Sequence, residues 1–121
     1  GSPSMNFFEG NVADGNFTSG DLTVPLAGYE FIEPGNASAN AWFGIRPEHI
    51  VVGGDAPFQV DIDVEIVEPM GSDTLVWTTL NEKPFRFRMD GQATVKTGDK
   101  MKIGFDPARA SMFDKTTEER I

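Results

Sequence analysis

Cysteine is missing from this chain of 121 residues, which excludes a disulfide framework, a zinc–thiolate site and a thiol nucleophile. That gap fits a reducing compartment. Histidine is nearly missing as well. His49 stands alone, so there is no two-histidine metal site and no acid–base pair of the Ser-His-Asp kind. No Gly-x-x-x-x-Gly-Lys-Ser/Thr loop occurs, so the chain does not bind ATP by that route. Gly53-Gly54-Asp55 reads as a turn, because no strand–loop–helix unit surrounds it. No run reaches the roughly 18–20 apolar residues of a membrane span. The first residues lack a basic region and a long apolar core, which predicts no signal peptide. Basic residues are absent before Arg46, whereas Glu9, Asp14, Asp21, Glu30 and Glu33 precede it. With a net charge of −9, such a surface repels nucleic acid and anionic lipid and favours solubility.

What is present is ordinary for one globular domain: 39% hydrophobic and 24% charged residues. Turn signals recur at Asp14-Gly15-Asn16, Ser19-Gly20-Asp21, Pro34-Gly35-Asn36, Gly53-Gly54-Asp55, Pro69 to Ser72, Asp90-Gly91 and Thr97-Gly98-Asp99. Short segments rich in Val, Ile, Phe and Thr lie between them. That rhythm predicts an all-β fold, a small barrel or sandwich of short antiparallel strands. Phe58 to Val67 alternates, with Val60, Ile62, Val64 and Ile66 opposite Asp61, Asp63 and Glu65. Leu75 and Trp77 are expected to face the core, opposite Thr74, Val76 and Thr78. Phe85, Phe87 and Met89 oppose Arg86 and Arg88, while Met101, Ile103 and Phe105 oppose Lys102 and Gly104. The earlier part predicts a meander through Phe7–Val12, Phe17, Leu22–Leu26, Tyr29–Ile32 and Ala37–Ile45. A single turn is expected at Pro107–Ala110. One domain over 1–121 results, with an irregular strand subregion at 1–50 and a barrel subregion at 51–121.

The candidate chemistry is sparse. Asp61, Asp63 and Glu65 project in parallel, about 6.5–7 Å between alternates, whereas catalytic pairs converge from different strands. They read as a solvated face relieved by Arg86 and Arg88 across the sheet. Trp42, Trp77, Tyr29, Phe85 and Phe87 read as core or subunit-interface aromatics, ahead of a sugar- or base-stacking platform. Trp42 and Phe43 are adjacent, so one of them faces away from whatever the other packs on. His49 is expected to pack or cap a turn. Arg46 and Glu48 flank Pro47, which fixes φ and ends a strand, and Arg46 suits a carboxylate or carbonyls at the bend.

Four pieces in order resemble one family, the ATP-binding subunits of sugar and glycerol-phosphate ABC importers, in their C-terminal part. Gly1-Ser2-Pro3-Ser4-Met5-Asn6-Phe7 is similar to the exit from the nucleotide-binding domain. Phe43-Gly44-Ile45-Arg46-Pro47-Glu48-His49 resembles a Gly-(Ile/Val)-Arg-Pro-Glu signature. Glu65 to Thr74 resembles a Val-Glu-x-x-Gly-x-(Glu/Asp)-Thr strand-turn. Gly104 to Asp114 is similar to the closing strand, with Phe113 at its usual aromatic position. Two departures stand out: Ala110-Ser111-Met112 where relatives often carry Cys-His-Leu, and a Gly35–Ala41 loop with no obvious counterpart. The resemblance implies an OB-like, transport-associated domain, a fragment of a longer ATPase chain, cytoplasmic and peripheral to the inner face of the plasma membrane. It implies a regulatory, non-catalytic, dimerising role. Partners would be a second copy, the chain's own ATPase domain, the membrane subunits and a regulatory protein or sugar, but not nucleic acid. ATP and magnesium would belong to the parent, with no cofactor, metal or catalytic residue here. Trp42, Gly44, Arg46, Pro47, Glu48, Gly71, Thr74, Phe105 and Phe113 are the expected structural or interface positions. A sugar- or oxyanion-sensing β-domain is the alternative.

Overall fold

A computed structural model describes residues 5–32, 39–91 and 94–121. Gly1–Ser4, Glu33, the Pro34-Gly35-Asn36 turn and the start of the Ala37 strand lie outside the described residues. The described chain is all β, without an α-helix: β1 (Asn6–Ala13), β2 (Asn16–Ser19), β3 (Leu22–Pro25), β4 (Ala39–Ile45), β5 (Val51–Val52), β6 (Phe58–Asp63), β7 (Ile66–Pro69), β8 (Asp73–Leu80), β9 (Lys83–Asp90), β10 (Lys100–Phe105) and β11 (Ser111–Asp114). Pro47–His49 and Pro107–Arg109 are 3-10 turns, each opened by a proline whose missing N–H costs nothing there.

The strands form three antiparallel sheets, ordered β11-β4-β1-β2-β3, β5-β10-β6 and β7-β8-β9. The β1–β2 hairpin turns on Asp14 and Gly15 at φ +52° and +79°, the paired left-handed residues of a two-residue loop. β8 and β9 turn on Asn81 and Glu82 at φ +50° and +64°, a tight hairpin without glycine. The last strand, β11, returns to pair with β4, so the first sheet draws strands from both chain ends.

Phe58–Val67 is two strands, not one. At its middle the backbone changes partner: the Val64 amide donates to Asp99 O at 2.8 Å, the Glu65 amide to Trp77 O at 2.9 Å. β6 therefore belongs with β10 and β7 with β8, and Ile66, expected inside, is exposed. The expected faces of β8 are also reversed. Thr74, Val76, Thr78 and Leu80 are buried, while Leu75 and Trp77 lie half-buried on the outside. Burial of threonine is tolerable because its hydroxyl finds a carbonyl: Thr78 Oγ1 donates to Asp63 O at 2.7 Å. Tyr29–Ile32 is not a strand. Tyr29 is instead a buried tie, its hydroxyl accepting from Met112 N at 3.2 Å and donating to Ile121 O at 3.3 Å.

One contiguous core joins the three inner faces. Ring centroids run Phe17–Phe43 at 5.1 Å, Phe43–Phe105 at 5.7 Å and Phe105–Phe58 at 4.9 Å, linking the first sheet to the second. Phe8 stacks on Phe85 at 5.7 Å, linking the first to the third. Two polar bridges reinforce that second seam. Asn6 Nδ2 donates to Arg86 O at 2.9 Å while its Oδ1 accepts from Arg86 N at 3.0 Å. Asn81 Nδ2 donates to Ser19 Oγ at 2.7 Å.

Candidate interaction surface

Three of the expected positions, Trp42, Gly44 and Phe113, meet on the outer face of the first sheet. Cross-strand register brings them there: Trp42 pairs with Phe113, and Gly44 pairs with both Phe7 and Ser111. Because Phe43 takes the inner face, its neighbour Trp42 must point out. Phe7 is 46% exposed and meets the edge of Phe113 at a centroid distance of 6.2 Å. Gly44 makes room for this contact. A Cβ there would lie 2.9 Å from both Met5 Sδ and Phe7 Cε1, so any larger residue would displace the exposed ring. Phe7, Trp42, Phe113 and Glu118 line an apolar groove of about 350 Å³. A Lys115–Glu9 ion pair links β1 to the segment just beyond β11.

The Asp114 carboxylate orders the turn that carries Glu118. Its Oδ1 accepts from Thr116 N at 2.8 Å and Thr117 N at 2.9 Å. The bonds from Thr117 and Thr116 favour the charged form and hold the carboxyl below its ordinary value. A folded-state value below the unfolded one means that this support is complete above the ordinary carboxylate range and is lost as pH falls through the lowered value. The Thr116 and Thr117 amide shifts should therefore titrate with a midpoint below about 3.9, the value of a free aspartate. A midpoint at or above it would show that the carboxylate does not order this turn.

The other expected positions lie apart. Pro47 is buried in the first 3-10 turn, with Glu48 exposed beside it. Arg46 makes no side-chain cap; the backbone holds that corner, His49 N donating to Arg46 O at 3.0 Å. Gly71, at φ +88°, occupies the β7–β8 turn, closed by Met70 N donating to Asp73 O at 2.8 Å. Thr74 is buried in β8, and Phe105 belongs to the core. His49 lies within the 3-10 turn and does not cap it, and its Nδ1 is buried without a hydrogen-bond partner. The acidic strand face is relieved by lysines, not arginines: Lys100 Nζ lies 2.8 Å from Asp63, and Lys102 Nζ lies 4.0 Å from Asp61. Arg86 lies over the Trp77 ring at 5.4 Å, and Arg88 reaches Asp73 at 3.4 Å. Trp77 is pinned outside by its Nε1 donating to Glu68 Oε1 at 2.6 Å.

Among the described residues, no group of three or more His, Asp or Glu could hold a metal ion. Nor, among those residues, is any helix long and apolar enough to cross a membrane. Sequence reasoning missed Phe7 as a partner of Trp42 and Phe113. The available signal was the outward phase of Phe7 against the buried Phe8.

Comparison with known proteins settles the family. Residues 43–113 match the TOBE domain, and residues 1–50 match the MalK OB fold domain. This chain belongs to the TOBE domain family. Strands β1 to β4 fall within the OB-fold match, and the TOBE match begins inside β4, where Phe43 and Gly44 lie. All of the chain aligns with the oligosaccharides import ATP-binding protein of Bacillus subtilis at 33% identity, over 35% of that protein. It also aligns throughout with the sulfoquinovosyl glycerol transport ATP-binding protein of Agrobacterium fabrum, 35% identical over 34% of its length. The xylose/arabinose import ATP-binding protein of Haloferax volcanii is 31% identical, with 33% of it covered. The TOBE domain chain thus spans about a third of the length of these relatives.

Proposed function

We propose that this domain is the non-catalytic regulatory and dimerisation module of the ATP-binding subunit of a carbohydrate ABC importer, with the Phe7–Trp42–Phe113 face meeting a second copy. The family supports the first half: relatives aligned along the entire chain are named as import ATP-binding proteins for sugars. The aromatic cluster, with Phe7 exposed and Trp42 and Phe113 half-buried, carries the second half. A sheet face that ends in water ordinarily alternates to polar residues, whereas this one presents three clustered rings. Aromatics at the centre of a contact, with a charged rim such as Lys115–Glu9, match the anatomy of protein interfaces. In the parent protein an ATPase domain would hold ATP and magnesium. Membrane subunits, and in some settings a regulatory protein, would be further partners. The domain would then act in the cytoplasm, at the inner face of the plasma membrane.

Sedimentation equilibrium tests the contact. The chain should self-associate at tens of micromolar, and Trp42→Ala with Phe113→Ala should weaken association at least about 30-fold, the effect of losing a hot spot near 2 kcal/mol. A monomer up to high concentration, or an unchanged constant in the folded double variant, would remove the face from the proposal.

A further inference from the structure

The outer face of the first sheet carries charge as well as rings, in a fixed order. Glu9 pairs with Trp42, Trp42 with Phe113, and Phe113 with Arg120. Partners directly across a ladder share a face. Their chain neighbours Phe8, Phe43, Met112 and Ile121 are buried, so the whole row points outward. At its last link, Asp114 N donates to Glu119 O at 2.8 Å and Ile121 N to Met112 O at 2.9 Å, one bond on each side of Phe113 and Arg120. Partners flanked in this way, without bonds of their own, hold their side chains closest. The row therefore runs acid, ring, ring, base over three strand spacings, roughly 14 Å in all.

That order is self-complementary. When two such faces meet about a two-fold axis lying between them and parallel to the strands, each row is turned end for end above its copy. Trp42 then covers Phe113 of the second copy, and Glu9 meets Arg120 of the second copy, each contact occurring twice by symmetry. An axis across the strands does the reverse. It sets Arg120 on Arg120 of the second copy, and like charges brought together oppose association. Sheets that stack face to face commonly keep their strands within about 30° of each other, as the first arrangement requires. Glu9 receives Lys115 through Oε1, and a carboxylate, with two oxygens, can serve a second cation. Arg120 is exposed, and among the described residues no ion pair holds it.

We infer that two copies meet with the two-fold axis running along β4 and β11, between Trp42 and Phe113, and that Glu9 and Arg120 select this orientation by pairing across it. The inference rests on the dimer reading of the aromatic face and adds to it a register and the two residues that enforce it.

Charge reversal tests the pairing. Sedimentation equilibrium is run on wild type, Arg120→Glu, and the double variant Glu9→Arg with Arg120→Glu. Both positions are exposed, so the variants should keep the wild-type near-UV circular dichroism. Arg120→Glu sets acid against acid at both contacts and should weaken self-association at least about tenfold; the double variant restores opposite charges and should recover most of that loss. Native mass spectrometry of the double variant mixed with isotope-labelled wild type reads the orientation. With the axis along the strands, mixed pairs bring like charges together and should fall well below the statistical share; with the axis across the strands they would exceed it. Mixed pairs at or above that share, an unchanged constant in Arg120→Glu, or no recovery in the double variant overturns this orientation while leaving the dimer. A wild-type chain that stays monomeric at every concentration overturns the dimer reading and the orientation together.

Discussion

Phe43→Ala should lower the unfolding free energy by about 3–5 kcal/mol, the usual cost of emptying a fully buried phenylalanine site. Phe43 is inaccessible to solvent and stands between Phe17 and Phe105, the rings that join the first and second sheets. Across the ladder it also pairs with Phe8 and Met112. Its surroundings are therefore contributed by four different strands, and no single one can relax into the gap. Domains of this size hold about 5–15 kcal/mol in all, so the variant should melt on the order of 10–20 °C lower. Urea unfolding followed by tryptophan fluorescence measures it. A loss under about 1 kcal/mol would mean that the ring chain does not couple the sheets.

Gly104→Ala should cost about 3 kcal/mol, at the upper end of what overpacking a core produces. Gly104 lies in β10, the middle strand of the second sheet, paired with Val51 and Gln59. A Cβ there would lie 2.4 Å from Phe58 O and 2.9 Å from the Ala56 Cβ. The carbonyl belongs to backbone and cannot swing aside as the Met5 side chain at Gly44 can. Gly54→Ala is the contrasting control: no atom lies within 4 Å of its Cβ position, and only its left-handed φ opposes the change. If the two variants lost equal stability, close approach would not be what requires glycine in β10.

The turns and strand alternation made the fold class readable from sequence, and Asp14-Gly15 fell where left-handed residues are needed. Asn81-Glu82 was not readable, because neither residue announces a left-handed turn as glycine does. The split at Val64–Glu65 was equally hidden. Alternation continues through Val64, and only the change of hydrogen-bond partner from Asp99 to Trp77 separates the strands. In β8 both faces carry bulky residues, so period-two patterning could not decide which faces inward. The answer depends on Thr78 finding the Asp63 carbonyl and Trp77 finding Glu68. Trp42 and Phe113 could be singled out separately, but their meeting depends on β11 crossing back to β4, a pairing that local sequence does not encode.

That late return has a consequence in time. The rings proposed to greet a second copy come from residues 7, 42 and 113, so the patch stays incomplete until the ribosome has passed residue 113. A half-made chain would lack the means to pair through it, and nascent neighbours on one message would be protected from premature coupling.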